Sequence, residues 1–242
     1  MNSNIRLLSE QQTQAFDVEY IDDGMFNLVK CALDKYISTD DFSFIDVGGG
    51  NGLYADRILF SFPSSKVTIV EPDEGLLRKN RRHSRKQLVK GTYQCAPLSK
   101  GVHDVVGFNW VLHHFVGSNY SESLEIQREG LERAYQQLKP GGLLLVFENF
   151  YEGSIFHDLP GRLIYSLTAS KALRPVTRQL GANTAGVGVS FHSENTWVAM
   201  LEQQGFNILS QSHCYDFGNL SSLKKSILNI KKQRVGLIVA QK

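Results

Sequence analysis

Cysteine is scarce and poorly placed for structural work: Cys31, Cys95 and Cys214 are odd in number, far apart and without C-x-x-C spacing. That excludes a disulfide framework and a structural zinc site, and it predicts free, mostly buried thiols and no metal. Charge of one sign is equally lacking. Lys and Arg total 26 against 24 Asp and Glu, a formal charge of +2, so the composition is not that of a polyanion binder. A hydrophobic content of 42% is too high for a disordered chain. No uninterrupted apolar run approaches the roughly 20 residues that cross a bilayer, and Met1-Asn2-Ser3-Asn4-Ile5-Arg6 contains no apolar signal core. The expectation is a cytoplasmic protein with no membrane partner. Repeats and low-complexity tracts are absent too, and 242 residues suit one large α/β domain with a proper core.

What is present is a glycine turn. Phe42, Phe44, Ile45 and Val47 make a short β-run, Gly48-Gly49-Gly50-Asn51-Gly52 follows, and Leu53, Tyr54, Ile58 and Leu59 then recur at helical spacing. Glycines at a strand-to-helix junction allow positive φ and bring a ligand to the backbone. A dinucleotide fingerprint would need its third glycine at Leu53, so the register is wrong for pyrophosphate. The spacing fits D-x-G-x-G-x-G, with Asp46 placing a negative charge that disfavours phosphate and favours an ammonium. Glu71 lies 19 positions beyond Gly52, at the end of the run Val67-Thr68-Ile69-Val70, where a carboxylate accepts hydrogen bonds from both ribose hydroxyls.

On these residues the chain resembles the class I S-adenosylmethionine-dependent methyltransferases, and the resemblance extends along most of its length. It implies a Rossmann-like α/β domain with a mostly parallel seven-stranded sheet, an antiparallel last strand and a helical cover over the C-terminal edge. The cofactor implied is S-adenosyl-L-methionine, with Gly48, Gly50 and Gly52 lining its methionine side, Asp46 holding the ammonium and Glu71 the ribose. Periodicity agrees with this organisation. Strands are expected at 104–108, 143–147, 206–213 and 235–240, and helices around Leu124–Leu138 and Leu220–Ile230. Helical patterns before the first strand, within 1–40, and the long connection 150–191, read as an inserted substrate lid, are expected to lie over the ligand.

Asn109-Trp110-Val111-Leu112-His113-His114 follows the fourth strand and faces the same crevice. It looks like the W-x-x-H segment of plant-type small-molecule O-methyltransferases, whose histidine is the catalytic base and matches His113. In that family a glutamate after the next strand orients the histidine, and Glu148 stands at the matching place. Two departures matter: the family's long N-terminal dimerisation domain is missing, and the aspartate after its histidine is His114. A structural histidine pair therefore stands beside the catalytic reading. The acid that many methyltransferases place after the third strand is also missing, which leaves Thr92, Gln94 or backbone groups for the adenine.

Three weaker signals complete the survey. Asp73 and Ser193 read as helix N-caps, with His192 and Glu194 as minor site candidates. Phe150, Tyr151, Phe156 and Tyr165 are candidates to enclose the acceptor. The basic run Arg78 to Lys86, expected in a surface helix over 78–90, suggests contact with RNA or protein, but a solvated face explains it more simply. The proline-rich N-P-P-aromatic segment of base N-methylases is lacking, so nucleic acid is not the expected substrate. The leading expectation is methyl transfer to a small-molecule acceptor, with oxygen favoured over nitrogen or carbon. A non-catalytic sensor of S-adenosylmethionine is the reading of a different class.

Overall fold

The computed structural model describes residues 5–14, 17–18, 21–216 and 220–242. In chain order the described elements are α1 (Glu10–Thr13), α2 (Asp23–Tyr36), β1 (Ser43–Val47), α3 (Leu53–Ser61), β2 (Lys66–Glu71), α4 (Glu74–Arg78) and β3 (Lys86–Lys90). β4 (His103–Asn109), a single 3-10 turn (Leu112–His114), α5 (Tyr120–Gln137) and β5 (Leu138–Gly153) follow. The chain continues through α6 (Leu159–Ala169), α7 (Arg174–Gln179), α8 (Glu194–Gln203), β6 (Asn207–Asp216), α9 (Ser222–Ile227) and β7 (Ile230–Gln241).

The strands form one seven-stranded sheet in the order β3-β2-β1-β4-β5-β7-β6. Pairing from β3 across to β5 is parallel, and β7 inserts antiparallel between β5 and β6. Alternation along each strand divides the core into two layers, because successive side chains point to opposite faces. Phe44, Leu145 and Phe147 pack with α2 and α3 on one face. Ile45, Leu144 and Val146 pack with α5 and α8 on the other. Strands covered on both faces read as continuous apolar runs, as 143–147 does.

Helix starts follow the expected chemistry. The Asp73 side chain accepts from Leu76 N, and the Ser193 side chain accepts from Thr196 N. Among the described residues no helix is long and apolar enough to cross a membrane.

Three expectations are corrected. The basic stretch is not a helix over 78–90: α4 stops at Arg78, and Lys86–Lys90 pairs in parallel with β2 as the edge strand β3. The reason lies at Asn80, whose amide donates to the carbonyls of Leu76 and Leu77 at the end of the helix and to Gly50 O. The thiols are not mostly buried either. Cys31 and Cys95 are exposed and Cys214 is half-buried, because Cys31 falls on the outer face of α2 and Cys95 in the turn after β3. The candidate aromatics of 150–191 are committed elsewhere. Phe150 is fully buried in the core, Tyr151 accepts from Gln233 Nε2, Tyr165 donates to Gly117 O, and Phe156 is exposed.

Tight packing at the centre of the sheet makes a stability prediction. A Cβ on Gly107 of β4 would lie 2.6 Å from Cζ of Phe44, which is itself buried. Gly107→Ala is expected to destabilise the protein by about 1–3 kcal/mol through overpacking. An unchanged urea midpoint would contradict this.

Candidate active site

The carboxyl ends of β1, β2, β4 and β5 converge on a cavity of about 500 Å³. Its floor is the backbone of the glycine turn. Gly48 and Gly50 have φ of +69° and +51°, in the left-handed region that only glycine adopts without cost. Closeness matters as well as φ. A Cβ on Gly48 would lie 2.5 Å from Val111 Cγ2, and one on Gly49 would lie 2.4 Å from Asp46 Oδ2. Gly48, Gly49, Gly50 and Asn51 line the cavity, whereas Gly52 is buried behind the turn, against Asn80 and Lys86. The sequence-based expectation that Gly52 lines the cavity is thereby corrected: its φ of +80° turns the chain into α3 and faces it inward.

Two carboxylates border this floor. Asp46 is 1% exposed, and neither of its oxygens has a hydrogen-bond partner. Burial, helped by the neighbouring Glu71, pushes its carboxyl up to about 7 against an opposing pull from Lys86. Glu71 ends β2, with Oε1 accepting from Asp73 N at 2.8 Å and Oε2 from Gly50 N at 3.2 Å. Burial raises it too, less those two backbone donors. An acidic pair of this kind repels phosphate and suits a ligand carrying an ammonium and hydroxyl donors.

On the other side stands the loop after β4. Asn109 lines the cavity with a buried Oδ1 that has no partner. Trp110 has φ of +52°, an outlier for a bulky side chain, and is held there by Trp110 N donating to Phe147 O at 2.8 Å and by edge contact with the Phe147 ring. This conformation leads directly into the 3-10 turn. His113 lies buried on that turn, with Nδ1 2.7 Å from Glu148 Oε2, while Glu148 Oε1 accepts from His113 N at 3.3 Å. Phe191 stacks on the His113 ring at 4.7 Å. His113 and His114 both line the cavity, and burial together with the neighbouring His113 lowers the His114 imidazole well below its ordinary value. The turn is clamped from outside, since Gln127 of α5 donates to Leu112 O and Ser190 O, and Ser190 N donates to His113 O.

Thr92 and Gln94 reach the cavity from the turn after β3, and both polar atoms of the Gln94 amide are buried without partners. His192 and Glu194 stand apart from it. His192 is fully buried between Tyr120 and Gln127, and Glu194 is held by Arg234 and His213. Sequence reasoning missed Asn149, which lines the cavity with a buried, unpartnered Oδ1. It also missed Asp73, which lines the cavity while capping α4. Most of the roof comes from the N-terminal segment through Ile5, Arg6, Leu7, Leu8, Val18 and Ile21, and Val187 is the contribution of 150–191. Among the described residues no three His, Cys, Asp or Glu side chains gather as a metal ion would require.

Residues 45–144 match a family model described as a methyltransferase domain. No curated protein matches the sequence. Among solved structures, the chain is similar to a candidate methyltransferase from Bacillus halodurans C-125, at 17% identity over 88% of this chain and 96% of that one, TM-score 0.58. It is also similar to geranyl diphosphate C-methyltransferase from Streptomyces coelicolor A3(2), solved with Mg2+, geranyl diphosphate and S-adenosyl-L-homocysteine (12%, 90% and 80%, TM-score 0.57). A third is the [4+2]-cyclase SpnF (13%, 97% and 97%, TM-score 0.62). Identities this low show the fold, and a cyclase among the neighbours illustrates that the fold does not decide the reaction. The methyltransferase domain, however, spans the glycine turn, the acid that ends β2 and the loop carrying His113. Residues 45–144 thus carry the match to a methyltransferase domain, and the sheet with its antiparallel last strand has the fold of these solved structures.

Proposed function

We propose that the protein transfers the methyl group of S-adenosylmethionine to an oxygen of a small, partly apolar molecule, with His113 as general base and Glu148 orienting it. The observation that carries this reading is the buried His113–Glu148 pair at 2.7 Å on the wall of the cavity. A carboxylate on Nδ1 selects the tautomer with its proton there, so Nε2 holds the lone pair that takes a hydroxyl proton. The donor supplies an electrophilic methyl on a sulfonium, and the protein's part is in-line positioning plus removal of that proton.

The residues present fit the donor. The unpartnered Asp46 carboxylate suits its ammonium, and Glu71 suits the ribose hydroxyls. The backbone of Gly48 and Gly50 would lie against its methionine side, with Asn109 beside it, and Thr92 and Gln94 would meet the adenine. Gly52 contributes by shaping the turn.

Methyl transfer from label-bearing S-adenosylmethionine to a panel of phenols, enols and carboxylic acids tests the acceptor atom. Label released from the product by ether or ester cleavage is the expected result. Label that stays bound to carbon or nitrogen would overturn oxygen as the acceptor.

Cofactor affinity should also depend on pH. With the Asp46 carboxyl at about 7 in the free protein, binding an ammonium below that pH must first expel a proton. Affinity for S-adenosylhomocysteine is therefore expected to fall by up to about tenfold per pH unit below pH 7 and to level off above it. The linkage to stability has a definite sign. A carboxyl raised from 3.8 to about 7 destabilises the free protein increasingly as pH rises through that window. The gain in melting temperature on adding ligand should accordingly be larger at pH 8 than at pH 6. Asp46→Asn should abolish both effects.

A further inference from the structure

The glycine turn rests on a small, partly buried polar cluster that does not line the cavity. Lys86, the first residue of β3, has a side chain only 1% exposed and forms an ion pair with Asp56 in the first turn of α3. Beside it, Asn80 Nδ2 donates to Gly50 O at 2.9 Å, and a Cβ on Gly52 would lie 1.8 Å from Asn80 Oδ1 and 3.1 Å from Lys86 Nζ. Asp56 Oδ2 and Asn80 Oδ1 are buried there without hydrogen-bond partners. Burying an ammonium is costly, and mere support of a loop is achieved more cheaply by apolar side chains.

We propose that Lys86 is a positioning residue for the cofactor's amino-acid end: it supplies the counter-charge to Asp46 from behind the glycine turn. This rests on the reading that Asp46 meets the ammonium. Charged and titratable groups act on Asp46 from three elements: Glu71 at the end of β2, the Tyr54 phenol in α3, and Lys86 in β3, whose ammonium is paired with Asp56. Of these, Glu71 and burial work against the Asp46 charge, and Lys86 works for it. Lys86 is absent from the cavity wall, so its effect reaches the ligand through Asp46 and the turn alone. The arrangement lets a carboxylate be stripped of hydrogen bonds, ready for the ammonium, without being neutralised outright.

The test is calorimetric titration of the full chain with S-adenosylhomocysteine between about pH 5.5 and 8.5. Lys86→Met is expected to move the midpoint of the affinity–pH curve upward by about one unit while affinity at the alkaline end recovers to within about threefold of the parent. Asp56→Asn, which keeps the ammonium and removes its partner, is expected to move the midpoint downward. Lys86→Arg should return it towards the parent value. A purely structural role predicts an equal loss at every pH with the midpoint unmoved, and that result overturns the proposal. Should Lys86→Met fail to fold, Lys86→Gln decides: an upward shift of the midpoint supports the proposal, and no shift overturns it. A flat curve in the parent protein would remove the Asp46 reading and this inference with it. A pH-dependent parent whose variants keep its midpoint would remove only the role of Lys86.

Discussion

Replacing His113 by alanine is expected to lower turnover by about 10²-fold or more while leaving affinity for S-adenosylhomocysteine within about threefold. The argument is geometric. His113 lines the cavity from the loop after β4, apart from Asp46 and Glu71 at the ends of β1 and β2, so on the proposed reading its ring meets the acceptor rather than the cofactor. Loss of a general base removes proton transfer in the transition state, and a base within hydrogen-bond reach typically contributes 10² to 10⁴. Glu148→Gln should give a smaller loss, about tenfold, because an amide no longer selects the tautomer while still filling the site. Single-turnover rates with the labelled donor separate this from binding. Unchanged turnover in His113→Ala would leave positioning alone as the catalytic device and move the acceptor towards carbon or nitrogen. The stacked Phe191 makes one control necessary, since the alanine leaves a gap beside it; near-native melting should accompany the lost rate.

The second large effect is expected at a glycine that never meets the cavity. Gly52→Ala should reduce affinity for S-adenosylhomocysteine by about 10²-fold, as much as a substitution on the cavity floor. Its φ of +80° costs an alanine about 1 kcal/mol, and the new Cβ would lie 1.8 Å from Asn80 Oδ1. Asn80 yields poorly because its amide is bonded to Gly50 O and to the end of α4. The turn must shift, and Gly50 shifts with it. Gly50→Ala provides the contrast. Its Cβ would meet nothing closer than Leu76 Cδ1 at 3.8 Å, so the fold should lose only about 1 kcal/mol while the methyl obstructs the ligand. In a Gly52→Ala/Asn80→Ala protein the clash is absent, and the loss of affinity should be smaller than the sum of the two single losses. Additive losses would show that the left-handed φ alone is responsible.

Legibility differed from one element to the next for physical reasons. The run from Phe42 to Leu59 was readable because strand period, glycines and helix period follow one another within a few residues. Asp73 and Ser193 were readable as caps because a cap needs only its own side chain and the next turn. The basic stretch misled because charge says little about backbone: Lys86-Gln87-Leu88-Val89-Lys90 has no clear polar–apolar alternation, and the pairing with β2 decides. The aromatics of 150–191 misled because composition cannot tell an acceptor cage from core packing. Phe150 faces the core by strand alternation, and Tyr165 by its bond to Gly117 O. The N-terminal segment was expected near the ligand, but only the contacts reveal that it supplies most of the roof.

By itself the sequence determined the fold class, the place of the glycine turn and the two acids beside it. Each of these rests on short-range order: a strand ending, a positive φ, a fixed count of residues to the next strand. Tertiary structure alone decided three things. It buried Asp46 without a hydrogen-bond partner and set Lys86, 40 positions later in the chain, behind the glycine turn. It closed His113 Nδ1 to 2.7 Å from Glu148 Oε2, a distance that the resemblance implying the pair could not give. It also turned Gly52 inward while Gly48 and Gly50 face the cavity. Electrostatics and hydrogen bonding act over a few ångströms of space whatever the separation along the chain, so the charge state and aim of these groups exist only once the sheet has brought the strand ends together.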